Sequence, residues 1–155
     1  MKKSKKNFCF FAGIFVLIFM LIDCKTNIGL SCPYEISNPH VEIGDCKEKH
    51  KFAGMYFSLF NESNKTIDTF TISFMLYDSD GNNPFVGSNC IVSKIVCEIS
   101  PNGFCDFVID LDSYISIVPT EPYLVDYIYI REIKYTDGTK LKDPYGMYCI
   151  RENYE

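Results

Sequence analysis

The chain has 155 residues and a net charge of −5, which suits one domain with some flanking sequence. An acidic surface repels phosphate backbones, so nucleic acid is not an expected partner. With only two histidines, little histidine chemistry is on offer, and no cofactor is expected.

The first six residues carry four lysines, and residues 8–22 are almost wholly apolar. A basic start followed by about 7–15 apolar residues is the pattern of a secretory signal. It falls short of the roughly 20 residues that a spanning helix needs, so cleavage is favoured over a permanent anchor. Residues 1–23 are therefore read as the signal, 24–51 as a tether ending in a docked segment, and 52–155 as the folded domain. Removing residues 1–23 takes four lysines and one aspartate, leaving 11 basic against 19 acidic residues and a charge of −8. Of the eight cysteines, Cys9 leaves with the signal. Cys32, Cys46, Cys90, Cys97, Cys105 and Cys149 form an even set, expected as disulfides in an exported protein. Six cysteines allow 15 pairings, and spacing does not choose among them.

Leu21-Ile22-Asp23-Cys24 resembles the lipobox of bacterial lipoproteins, in which the cysteine becomes the lipidated first residue. Asp23 departs from that pattern, which has a small residue before the cysteine. The resemblance implies a lipid-anchored, palmitate-bearing protein on the exported side of a bacterial envelope membrane, with Cys24 as the anchor.

In the tether, His40–Ile43 alternates and is expected as a short edge strand. From Met55 the alternation is sustained. Met55, Phe57 and Leu59 share one face, and Ile72, Phe74 and Leu76 share another. Residues 61–65 separate them as a polar turn with nothing to bury, which predicts a hairpin. Residues 85–94 predict a weak strand interrupted at Gly87, and 95–99 a further short one. Pro101 and Gly103 mark a turn. Residues 104–111 alternate, with Cys105, Phe107, Ile109 and Leu111 on the buried side. Residues 112–122 form a connection. Residues 123–135 are the longest strand candidate, dense in aromatic and β-branched side chains. Asp137-Gly138 predicts a tight hairpin turn, and 140–142 a last short strand. About seven short strands with regular turns indicate an all-β antiparallel sandwich.

Phe74-Met-Leu-Tyr-Asp78 matches the F-x-L-Y-D motif, and residues 61–67, 80–81, 99–103 and 133–139 resemble the turns and closing strand around it. Over about residues 55–141 the chain resembles an FxLYD-type bacterial envelope lipoprotein domain. This resemblance implies an immunoglobulin-like sandwich and no catalytic residues. The six cysteines are not part of that family pattern. Folding alone accounts for the motif: Phe74 and Leu76 as core, Tyr77 on the opposite face, and Asp78 capping the next turn.

The chemistry-bearing residues are sparse. Cys32, His40, Cys46 and His50 are zinc-ligand types, but their spacing fits no finger or ribbon, so disulfides are expected there rather than metal. Both histidines fall in the least regular segment and are expected as solvated loop residues. Residues 78–82 lack the glycine position and closing glutamate of a calcium loop. Glu98, Asp106, Asp110 and Asp112 read as a solvated acidic face. Tyr123, Tyr127 and Tyr129 fall on one face of a single strand. Sharing that face with Val125 and Ile133 favours core packing, with a ligand-binding strip as the alternative. The reading is a non-enzymatic envelope lipoprotein with a binding or structural module for a protein or surface polymer. The alternative is a secreted, unanchored inhibitor-like or accessory domain acting through residues 113–122.

Overall fold

A computed structural model describes residues 32–148, which lie within one compact unit spanning residues 31–155. The expected signal, Cys24 and Cys149 lie outside the described residues. Seven strands run in order: β1 (Tyr34–Ile43), β2 (Ala53–Asn61), β3 (Ile67–Tyr77), β4 (Cys90–Ile99), β5 (Phe104–Asp110), β6 (Leu124–Tyr135) and β7 (Lys140–Lys142). They form an antiparallel β-sandwich, with a three-stranded sheet β1-β2-β5 and a four-stranded sheet β4-β3-β6-β7.

The core lies between the inner faces that alternation predicts. Met55, Phe57 and Leu59 of β2 oppose Phe70, Ile72, Phe74 and Leu76 of β3, all buried. At the centre, Phe107 stacks on Phe57 at 5.4 Å and meets Phe70 edge-on at 5.1 Å. Tyr34 is buried too, and its hydroxyl accepts a hydrogen bond from the Ile130 amide, 3.1 Å away on the other sheet.

β2 and β3 are not a hairpin. They belong to different sheets and meet face to face through the core. The cause is Asn61, which is fully buried and not a solvated turn residue. Its side-chain amide nitrogen lies 2.8, 2.9 and 3.1 Å from the carbonyl oxygens of Lys65, Ile99 and Ser100. Its side-chain oxygen accepts from the Ser63 amide and hydroxyl. One side chain thereby ties the 62–66 turn to the 100–103 turn, and both turns carry the chain from one sheet to the other.

Three further expectations change. The edge strand is the ten-residue β1 rather than four residues. It bulges between Ser37 and His40, where Asn38 takes φ 52° before Pro39. Such a bulge and proline on an edge discourage strand addition. β4 is one strand starting at Cys90, because Asn83 bonds the Gly87 carbonyl and the Phe85 amide and holds 83–87 in a loop. β6 changes face twice. Its register with β3 shifts between Ser73 and Met75 and again between Thr71 and Ile72. A bulge moves every later side chain to the other face.

Candidate functional site

The sandwich has two unlike poles. At the near pole, where the chain enters at β1, Tyr34 pairs with Asn61 and Phe60 with Phe104. The turns there are short. The Thr136–Thr139 turn joins them through the Thr136 amide, which donates to the Thr66 carbonyl at 3.0 Å. At the far pole lie the long connections 44–52, 78–89 and 111–123.

Two of those far-pole loops enclose a cleft of about 490 Å³. Phe85 is its floor, with the Tyr123 ring edge-on at 5.5 Å and the Tyr114 ring at 6.0 Å. Val86 (110 % exposed) and Ile117 (77 %) stand on its rim with Val118. The charged side chains lining it are Asp78 and Glu121, both acidic. Loops at the ends of sandwiches are where rigid sheets present adaptable binding residues.

Local hydrogen bonds shape this pole. One Asp78 carboxylate oxygen accepts from the Asp80 and Asn82 amides at 3.0 and 2.8 Å and closes the 78–82 turn. Asp112 accepts from the amides of Lys51, Phe52 and Ala53 at 2.7, 2.8 and 3.3 Å, clasping the 44–52 loop to the 111–123 loop. Desolvation there pushes the Asp112 carboxyl up. The three backbone N–H groups outweigh it, so the net direction is down.

A second feature lies on the outer face of the three-stranded sheet, a groove of about 410 Å³ around Tyr56. His40, the cross-strand partner of Tyr56, stacks on its ring at 5.6 Å and 22°. The Lys49 ammonium sits 5.3 Å from the ring centre. His50 locks the phenol. Its Nδ1 donates to the Gly44 carbonyl at 3.0 Å, leaving Nε2 to accept the Tyr56 hydroxyl at 2.9 Å. Gly54 makes this possible, because a Cβ there would collide with the imidazole. Burial, then the neighbouring Cys46 thiol and Glu42, push the Tyr56 phenol well above its usual range, so it stays a neutral donor. Further along, the Ser58 hydroxyl donates to Asp106 at 2.5 Å.

Tyr123, just before β6, and Tyr127 and Tyr129 within it do not share a face. Tyr123 packs towards the core beside Phe85, whereas Tyr127 sits in the bulge with φ 48° and is 66 % exposed. The Tyr129 hydroxyl donates to the Pro144 carbonyl at 3.2 Å, and its ring lies against Gly146. The register shift between Ser73 and Met75, which falls at 126–129 of β6, breaks the shared face. In the motif, Phe74 and Leu76 are buried, while the Tyr77 hydroxyl contacts the Met75 sulfur at 3.3 Å.

The expected disulfides are absent among Cys46, Cys90, Cys97 and Cys105, which are free thiols. Cys46 sits in the 44–52 loop and Cys90 beside Ser73, whereas Cys97 and Cys105 both pack towards the core, from β4 and β5, without a bond between them. Burial, then Cys105 and Asp68, push the Cys97 thiol up to about 11, which makes it a poor nucleophile at neutral pH. The Cys32 thiol lies 2.9 Å from the Tyr34 carbonyl. Cys46 and His50 face each other across a bridge, but no three metal-ligating side chains converge among the described residues. His50 is not a solvated loop residue; it is 6 % exposed. In the acidic set, Asp110 accepts from the Asp112 amide and Asp106 from Ser58, while Glu98 lies on the exposed side of β4.

Sequence reasoning missed both the Tyr56 groove and the Phe85 floor. Alternation places Tyr56 on the outer face, but the fold-back of 44–52 over Gly54 is a tertiary event. Phe85 was hidden by its reading as strand.

Neither a protein-family model nor a curated protein matches the chain. Among solved structures, it is similar to a hypothetical protein from Peptoclostridium difficile 630, at 13 % identity and a TM-score of 0.49, over 79 % of this chain and 92 % of that one.

Proposed function

We propose that this protein is a non-catalytic, lipid-anchored module of the bacterial cell envelope that binds a partner protein through its far-pole cleft. The cleft carries this reading. An aromatic floor with exposed Val86 and Ile117 on its rim is apolar surface that water does not favour. Its acidic lining favours a segment whose apolar side chains are flanked by Lys or Arg. The basic start, the apolar run and Cys24 support export and lipidation, in line with the resemblance to FxLYD-type lipoproteins. Asp23 favours the second reading, a secreted and unanchored domain using the same cleft.

The test places a photo-crosslinking residue at Ile117, or at Lys94 on β4 as a control, in the full chain expressed in its native bacterium. The reading requires a discrete adduct in the membrane fraction from position 117 alone, and an intact mass showing acyl chains on Cys24. Equal adducts from both positions, or none, would refute the cleft. An unacylated product in the culture medium would establish the secreted form instead.

A further inference from the structure

We infer that Cys97 and Cys105 are a redox pair, which a disulfide oxidant closes into one covalent link between the two sheets. The inference depends neither on the far-pole cleft nor on export.

Topology brings the two thiols to one place. β4 and β5 are edge strands of opposite sheets, flanking β3 and β2, which face each other through the core. β4 ends at Ile99 and β5 starts at Phe104, so only the turn 100–103 separates them. The Gly103 amide closes that turn by donating to the Ser100 carbonyl at 2.9 Å. Inward-facing residues, counted away from the turn, put the cysteines at one level. On β5 the Phe107 ring meets Phe70 at 5.1 Å, and Phe70 pairs with Ile95 of β4. One inward step towards the turn leads from Phe107 to Cys105, and from Ile95 to Cys97. Both pack towards the core. Stacked sheets lie about 10 Å apart, and inter-sheet disulfides cross that gap in immunoglobulin sandwiches. A bond needs Cα atoms about 4.4–6.8 Å apart, and a turn this short draws the strands together beside the pair. The Cys105 thiol is otherwise weakly held, 3.7 Å from the Asp106 carbonyl. Cys46 and Cys90 have no such counterpart, one lying in the 44–52 loop and the other beside Ser73.

The chemistry is thiol–disulfide exchange with a small or protein disulfide, R–S–S–R. The Cys105 thiolate attacks one sulfur, forming Cys105–S–S–R and releasing R–S⁻, which takes up the proton that Cys105 lost. Cys97 then gives up its proton and attacks the Cys105 sulfur, expelling the second R–S⁻, which takes up that proton. Two protein thiols are oxidised to one disulfide, and R–S–S–R is reduced to two R–SH. Burial, then Cys105, hold the Cys97 thiol up at about 11, so its thiolate is scarce and the second step is slow at neutral pH. The link would brace the 100–103 turn that Asn61 already binds through the Ile99 and Ser100 carbonyls.

The test incubates the reduced full-length protein in detergent with oxidised glutathione at about pH 8.5, where more of the thiols ionise. Remaining thiols are then blocked with iodoacetamide and the chain is cut with trypsin. Both cysteines fall in the peptide 95–131. That peptide should appear unblocked and lighter by two hydrogens, and should take up two blocking groups after reduction. The oxidised protein should melt about 3 °C or more above the reduced one. Cys97→Ala should instead keep glutathione on Cys105 and lose the rise in Tm. The parent chain carries the main readout, so the result does not depend on whether that variant folds. Both thiols blocked, glutathione retained on Cys105 of the parent chain, or a bond from either cysteine to any other would overturn the inference. So would closure without a rise in Tm, because the native sheets would then not hold the pair at bonding distance.

Discussion

The two poles of the sandwich handle polar groups in opposite ways. At the near pole a single buried amide, Asn61, binds the backbones of two sheet-crossing turns, and the turns are as short as the crossing allows. At the far pole the connections are long, carboxylates of Asp78 and Asp112 accept from loop amides, and Val86 and Ile117 face water. Buried, satisfied polar networks stiffen a fold, while exposed apolar rims cost solvation unless a partner covers them. The near pole therefore holds the sheets together, and the far pole is free to vary its surface.

The sharpest way to break this contrast is Asn61→Ala. It leaves buried carbonyls without donors and opens a void, and should cost at least about 3 kcal/mol in urea unfolding. Gly54→Ala comes next. The added methyl forces His50 off the sheet, with a loss of about 1–3 kcal/mol typical of overpacking. In a calorimetric melt it should lower the Tm, and in proton spectra it should free the Tyr56 hydroxyl from His50.

Acid should loosen both poles through their carboxylates. The Asp112 carboxyl is net lowered. The Asp137 carboxyl is held down at about 2, first by the Thr139 hydroxyl and then by Lys65. Because both folded values lie below the unfolded value of about 4, their stabilisation is present above about pH 4 and is lost as pH falls through the folded values. The urea midpoint should fall below about pH 4, and Asp112→Asn and Asp137→Asn should each flatten that fall. The smallest stability effect belongs to Val86→Asp and Ile117→Asp. Both should unfold within about 0.5 kcal/mol of the parent chain in the same urea assay, and Val86→Asp should lose the adduct formed from position 117.

The inner faces of β2 and β3 were legible in sequence because both sheets are half-buried, and a half-buried strand writes its burial as strict alternation. β7 and the Asp137-Gly138 turn were legible because Gly138, at φ 83°, meets a local steric demand. The pairing of β2 was not legible. Nothing near Asn61 in the chain reveals that Ile99 and Ser100 will supply its acceptors. β6 was misread for a related reason, since its bulges are set by fit to β3 and break a periodicity that appears regular in one strand. The cysteines misled because an even count says nothing of direction, and Cys97 and Cys90 point to opposite faces of one strand. The Tyr56 groove depends on a loop returning over a glycine, an arrangement with no one-dimensional signature.

Amide hydrogen exchange on the full-length protein tests the two-pole account most directly. The account predicts that the amides of Asn61, Ser63, Asn102 and Gly103 exchange only through global unfolding, while those of 79–88 and 113–122 exchange through local opening, orders of magnitude faster. Equal protection at the two poles, or faster exchange around Asn61, would contradict it.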